Sequence, residues 1–177
     1  MIERVAEKMG ADIAFEDETG IGIPTRSGRT WGAVNSPPTV IVNQQRSGYN
    51  VLSAITAKGE LLFDIEEKTI DGKRYIAFLE KILNGRTRPI IVIADNAPFH
   101  RSKEVRDFVR SHRHQIRMFF FPTYSPKLNP DEQVWNEIKH RKLQKQPIKN
   151  KSDLKKRIDG ALKFLKEKTD KVRSFFH

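Results

Sequence analysis

Cysteine is absent from the chain. Disulfides and thiolate metal sites are therefore excluded. No apolar run approaches the ~20 residues needed to cross a bilayer. The N-terminus lacks the basic, then apolar, then small-residue order of a secretory signal. No internal repeat and no low-complexity tract interrupts the sequence. These absences leave an intracellular globular protein with no membrane attachment as the expectation.

What is present fits that frame. The 177 residues suit one domain, spanning 1–177, with enough chain to bury a core. Hydrophobic residues make up 37% and charged residues 31%, a mixture that folds with a polar surface. The net charge is +11, and its distribution is uneven. Residues 136–177 hold 14 Lys and Arg against 5 Asp and Glu. A basic surface suits a polyanion such as DNA. A solvated helix face would carry the same charge, so charge alone does not decide.

Periodicity places the elements. Residues 11–15 alternate, with Ile13 and Phe15 on one side, and read as a strand entering Glu16-Asp17-Glu18. Residues 20–38 are rich in Gly and Pro and read as a turn-rich connection anchored by Trp31, with a short strand at 40–43. Residues 49–56 and 61–65 flank a turn at 57–60 and predict a hairpin. Tyr75, Phe78, Leu79, Ile82 and Leu83 form a helical stripe, capped by Asp71 and stopped by Asn84-Gly85. The continuous apolar run at 90–94 predicts a strand buried on both faces.

Ser102 caps a helix carrying Val105, Phe108 and Val109, and residues 116–121 form a strand stopped by Pro122. Asn129-Pro130 opens a helix with Val134, Trp135 and Ile138. After Pro147, Ser152 is expected to cap a last helix with Leu154, Ile158, Ala161, Leu162 and Leu165 on one stripe. Antiparallel strands come first, then helices and strands alternate. A mixed α/β sheet with helices against it follows.

Three acids fall at element ends in this scheme: Asp17 after the first strand, Asp95 after the strand at 90–94, and Glu132 in the first turn of a helix. Carboxylates converging at strand ends and a helix start repel one another unless a cation intervenes. Hard divalent ions, Mg²⁺ or Mn²⁺, match oxygen ligands. Two such ions support phosphodiester chemistry with no protein nucleophile, consistent with the absence of a G-x-S-x-G elbow. Each acid has an ordinary role open to it as well. Asp17 suits an ordinary surface carboxylate, and Glu16 and Glu18 beside it leave open which of the three acids matters; Asp95-Asn96 suits a turn; Glu132 stands three residues after Asn129, as in a capping box.

Longer strings add to the single acids. Residues 91–100, Ile-Val-Ile-Ala-Asp-Asn-Ala-Pro-Phe-His, resemble the second acidic motif of DDE transposases of the mariner-like group and related bacterial insertion sequences. Residues 124–135, from Tyr124-Ser125-Pro126 through Leu128-Asn129-Pro130 to Glu132 and Trp135, resemble the third. Phe15-Glu16-Asp17-Glu18-Thr19-Gly20, followed by Thr30-Trp31, resembles the first. Between Asp95 and Glu132 lie 36 residues, close to the family's spacing.

The resemblance implies a ribonuclease-H-like fold, a mixed five-stranded sheet with helices on both faces. It implies metal-dependent DNA strand cleavage and strand transfer. It puts the catalytic and metal-ligating triad at Asp17, Asp95 and Glu132, with Asp17 shared by two Mg²⁺ or Mn²⁺ ions. Asp131 departs from the family, where that position is usually uncharged, and leaves open which of Asp131 and Glu132 ligates. Asn96, His100, Tyr124 and Ser125 are secondary candidates for DNA or outer-sphere contacts, each with a purely structural alternative. Trp31 and Trp135 read as core residues.

Relatives carry helix-turn-helix domains ahead of the catalytic domain, and only 16 residues precede Asp17. The expectation is that this module is missing, through truncation or because a separately encoded half supplies it. Implied partners are double-stranded DNA, both element ends and target, and a second copy in a homodimer. The implied location is the nucleoid in a prokaryotic cytoplasm. Alternatives are a non-catalytic DNA-binding or assembly remnant, and another nuclease of the same fold.

Overall fold

A computed structural model describes residues 2–23, 47–122, 125, 128–143 and 148–176, the side chains of 140–142 excepted. The expected strand at 40–43, the connection from residue 24 to 38 with Trp31, and Tyr124 lie outside the described residues.

Helix α1 (Ile2–Met9) leads into the long strand β1 (Asp12–Gly22). Strands β2 (Gly48–Thr56) and β3 (Leu61–Glu66) form the expected hairpin, with Gly59 at φ +87 in its turn. That left-handed conformation favours glycine because it has no Cβ. Then come α2 (Gly72–Leu83), β4 (Ile90–Ala94), a 3₁₀ turn (Pro98–Arg101), α3 (Lys103–Ser111) and β5 (Ile116–Phe120). Helix α4 (Glu132–Asn136) runs on into a π-helical segment (Glu137–Lys142). Helices α5 (Lys151–Lys166) and α6 (Thr169–Arg173) follow.

The sheet order is β3-β2-β1-β4-β5. The pairs β1–β2 and β2–β3 are antiparallel, while β1–β4 and β4–β5 are parallel. This is the mixed five-stranded sheet expected from the order of elements.

Strand alternation divides β1 between two cores. Ala14 faces the layer made by α2 and α3, with Leu52, Tyr75, Phe78, Val92 and Val105. Ile21 faces α4 and α5, in a cluster with Val51, Trp135 and Ile158. Phe15 lies on that same face and also meets the α1 layer around Ile91 and Ile93. Helices thus cover both sides of the sheet. Burying one large apolar side chain contributes roughly 1.5–3 kcal/mol, so the fully buried stripe Tyr75, Phe78, Leu79 and Ile82 makes α2 a principal anchor.

Several boundaries differ from expectation. Strand β1 does not stop at the acids. Its pairing with β2 continues to Gly22 opposite Gly48, so Asp17 lies within the strand. The last long helix is capped by Asn150, not Ser152: the Asn150 side chain accepts from Asp153 N at 2.9 Å, and Asp153 Oδ2 accepts from Lys149 N at 2.9 Å. Helix α4 begins at Glu132, after Asn129-Pro130, with Asp131 at its N-cap. Its expected apolar residues Val134, Trp135 and Ile138 are buried.

Candidate active site

Parallel pairing places the first two acids at one end of the sheet. Phe15 pairs with Ile93, and Asp17 and Asp95 each follow two residues later on neighbouring strands. Strand β4 ends at Ala94, so Asp95 leaves the sheet where β1 is still paired to β2.

Asp17 faces α4. Its Oδ2 accepts from Trp135 Nε1 at 3.0 Å, and its Oδ1 accepts from Glu18 N at 3.0 Å. Burial raises its pKa, the Trp135 hydrogen bond opposes this, and the charges of Glu132 and Glu16 add to the rise. The outcome is a carboxyl pushed up to about 7. Trp135 is therefore a core residue, as expected, whose polar edge also holds an acid.

The third motif is stapled beneath β1. Asn129 Nδ2 donates to the Glu16 carbonyl at 3.1 Å, and Asn129 Oδ1 accepts from Asp131 N at 3.1 Å. Asn129 thus bridges to the sheet instead of capping α4. This brings Glu132 close enough to act on Asp17. Asp131 is fully buried, and its Oδ2 accepts from Ser53 Oγ at 2.5 Å. Ser53 stands opposite Asp17 in the β1–β2 pairing, so both lie on the same face. Burial drives the Asp131 pKa far upward, against the Ser53 hydrogen bond and with the charges of Asp17, Glu16 and Glu132. Of the two neighbours, Asp131 is sealed inside the protein and Glu132 reaches the half-exposed surface.

Asp95 is turned toward a different partner. Its Oδ1 lies 3.0 Å from His100 Nδ1 and accepts from Ala97 N at 2.8 Å. The His100 ring is buried, with Nε2 at 3.2 Å from Glu16 Oε2. Tyr75 OH donates to the same Glu16 oxygen at 3.2 Å. The His100 contact pulls the Asp95 pKa below the ordinary carboxylate value. Burial disfavours a charged His100, yet Asp95 and Glu16 outweigh it and push the imidazole up to about 9.

The secondary candidates divide. Asn96 ties strand ends together: Nδ2 donates to the Phe121 carbonyl at 2.8 Å, and Oδ1 accepts from Arg101. Ser125 is half-buried, and its carbonyl accepts from Leu128 N at 3.1 Å. Two further residues are not singled out by the sequence. Lys139 projects from the π-helical segment and donates to Thr19 Oγ1 at 2.6 Å, one alternation beyond Asp17. Glu16 is the other, although its place in the series Asp12, Ala14, Glu16 marks a charge on the α2–α3 side of β1.

The structure brings Asp17 and Glu132 into electrostatic contact and sets Asp95 at the same sheet end, engaged by His100. Among the described residues, no three His, Asp or Glu side chains are gathered tightly enough to hold a metal. Two of the acids have a protein donor beside them, Trp135 for Asp17 and His100 for Asp95. Each acid offers carboxylate oxygens, the donor type a hard divalent ion takes, and the upward shift of Asp17 comes first from burial, with the charges of Glu132 and Glu16 adding to it.

The family model for the DDE superfamily endonuclease matches residues 12–155. This chain belongs to the DDE superfamily endonuclease family. The matched DDE region runs from β1 into α5 and contains Asp17, Asp95 and Glu132.

Over 128 residues the DDE chain is 22% identical to the "Insertion element IS630 uncharacterized 39 kDa protein" of Shigella sonnei, covering 71% of this chain and 37% of that protein. It therefore spans well under half the length of that relative. The crystal structure of the catalytic domain of Mos1 mariner transposase superposes with a TM-score of 0.61 at 17% identity, covering 98% of this chain and 85% of that one. The Mos1 mariner paired end complex with Mn gives a TM-score of 0.67 at 16% identity, covering 98% and 56%. The fold is that of ribonuclease-H-like transposase catalytic domains. Among the described residues, no helix is long and apolar enough to cross a membrane.

Proposed function

We propose that this chain is the catalytic domain of a DNA transposase, cutting and joining DNA strands in a divalent-metal-dependent reaction that moves an insertion sequence. The observation that carries the reading is Asp17: a carboxyl inside the central strand, pushed up to about 7 by burial and by Glu132 and Glu16, at the sheet end where Asp95 emerges. Charge of this kind, concentrated on an otherwise basic chain, suits a site for cations. Residues 1–177 act as one catalytic domain in this reading.

Asp17, Asp95 and Glu132 would hold the Mg²⁺ or Mn²⁺ ions, two in this reading. When bound, such ions activate an attacking oxygen and stabilise the departing 3′-oxygen. The protein side chains position the acids. Trp135 fixes one Asp17 oxygen, and His100 and the Ala97 N–H fix one Asp95 oxygen. Asn129 ties the Glu132 segment to β1. Asp131, fully buried with Oδ2 held by Ser53 and Oδ1 without a hydrogen-bond partner among the described residues, is the structural member of the Asp131-Glu132 pair.

Double-stranded DNA is the substrate, both element ends and target. Asn96 and Ser125 would meet it near the acids, with Tyr124 a further candidate from the sequence. The basic segment 136–177 would add sequence-independent attraction to phosphates. A homodimer holding two ends is the assembly.

The test is strand cleavage and joining of element-end DNA with Mn²⁺ or Mg²⁺, with an end-recognition module supplied. Asp95→Asn and Glu132→Gln are each expected to lower the rate by at least ~100-fold, since even outer-sphere changes at metal sites cost about 10–100-fold. Activity that survives chelation, or both substitutions, would refute the assignment.

A further inference from the structure

Glu16 is adjacent to Asp17 but points to the opposite face of β1, among α2 and the 3₁₀ turn. Its side chain is 0% exposed. A buried carboxylate is costly unless paired. Here Oε2 meets His100 Nε2 at 3.2 Å and Tyr75 OH at 3.2 Å. The imidazole is enclosed by Tyr75 and Phe99, with ring centroids at 4.4 and 4.2 Å. Its other nitrogen lies 3.0 Å from Asp95 Oδ1 and 3.1 Å from the Asp95 carbonyl oxygen.

A chain of contacts therefore runs from β1, through one buried ring, to the acid that follows β4; its Glu16–His100 link is an ion-pair distance and not a hydrogen bond, and among the described residues His100 Nε2 and Glu16 Oε1 have no hydrogen-bond partner. At its far end Asp95 is 56% exposed, on a turn where its carboxylate would otherwise choose among rotamers. Oδ1 is taken by His100 and by the Ala97 N–H. These contacts hold one oxygen and leave Oδ2 to meet a cation.

We infer that Glu16 is a positioning residue, acting through His100 to hold the Asp95 carboxylate with Oδ2 presented to the metal. This rests on the reading that Asp95 is a metal ligand. Such outer partners orient the ligand and lower its entropy of fixation, and their loss typically costs about 10–100-fold in metal affinity.

The probe is Mn²⁺ alone, titrated into the full chain and followed by the electron paramagnetic resonance signal of free Mn²⁺. Glu16→Gln keeps the shape of the side chain and removes its charge; it is expected to weaken Mn²⁺ binding about 10-fold. His100→Gln breaks the chain of contacts at its middle and is expected to do the same. The double variant should lose about 10-fold, not about 100-fold, because both changes cut one chain of contacts. Multiplicative losses would show that Glu16 does not work through His100. Unchanged affinity in either single variant would overturn the proposal, so His100→Gln decides alone if Glu16→Gln fails to fold. Asp95→Asn separates the premise from the inference. If the wild-type chain binds no Mn²⁺, or Asp95→Asn binds it equally well, the ligand assignment fails. If Asp95→Asn loses binding while Glu16→Gln and His100→Gln retain it, only the positioning role fails.

Discussion

Asp17 carries a charge that the folded chain resists. Its pKa is about 7 when folded, against an ordinary value of 3.8. The folded state thus binds this proton more tightly than the unfolded state does. Stability falls as pH rises from about 4 to about 7 and stays reduced above that. Asp17→Asn should therefore stabilise the metal-free chain at pH 8 by on the order of 2 kcal/mol, discounting the full linkage value for solvent screening. Urea denaturation in chelator reads this. An equally stable or weaker variant at pH 8 would contradict the assigned burial.

His100 has the opposite charge sense. Its folded pKa is raised from 6.5 to about 9, so its stabilising charge is fully present below about 6.5 and is lost as pH climbs through 9. The wild-type chain is expected to lose on the order of 2 kcal/mol between about pH 7 and about pH 9.5. His100→Gln should show a flatter profile across that window, measured by the same denaturation series. Asp17 is half ionised at about pH 7, so completing its ionisation adds only roughly 0.4 kcal/mol to that loss.

At the scale of elements, the legible parts are those with strong local periodicity. The hairpin, the stripe on α2, the apolar β4 and the Ser102 cap of α3 are all written in adjacent residues. Helix α1 is not among the expected elements, although Ile2, Val5, Ala6 and Met9 stand at helical spacing; it has only eight residues. The cap of α5 is ambiguous from sequence, because both Asn150 and Ser152 are good capping residues just ahead of Leu154. Asp153 decides between them through its reciprocal bond to Lys149 N. Asn150→Ala should cost about 1 kcal/mol in thermal or urea unfolding, and Ser152→Ala should fall within about 0.5 kcal/mol of wild type. The reverse order would move the start of the helix to Ser152.

The acids are visible as motif residues, but their company is not. Asp95 and His100 are five residues apart and readable together, whereas Tyr75 and Glu16 meet across 59 residues. Contacts of that range are made by sheet pairing and helix docking, which no local pattern encodes. Asp131 is similar: its Ser53 partner lies 78 residues away on β2.

Across the whole molecule, the basic excess is gathered in the C-terminal segment, while the rest of the chain is nearly balanced. The segment 136–177 holds much of the basic excess, with the Leu154, Ile158, Leu162 and Leu165 stripe buried and Lys155, Lys156, Lys163 and Lys166 exposed. Nonspecific DNA binding should weaken steeply with salt, because binding releases counterions from phosphates. Reversing two of those lysines, Lys155→Glu with Lys163→Glu, is expected to make the slope of log K against log salt shallower by up to ~2. Fluorescence anisotropy with duplex DNA tests this. An unchanged slope would place the DNA path elsewhere.

Strand β1 serves two layers with consecutive residues, Glu16 toward α2 and Asp17 toward α4. Inserting a single amino acid between Asp12 and Glu16 would do more than expose apolar side chains. With its N-terminal end anchored beside β4, the strand would move each later residue one place along, handing Glu16 to Trp135, Asp17 to the place of Glu18, and the place facing Tyr75 and His100 to the residue ahead of Glu16. The molecule would keep every acidic side chain in its composition and lose the arrangement that distinguishes one from the other.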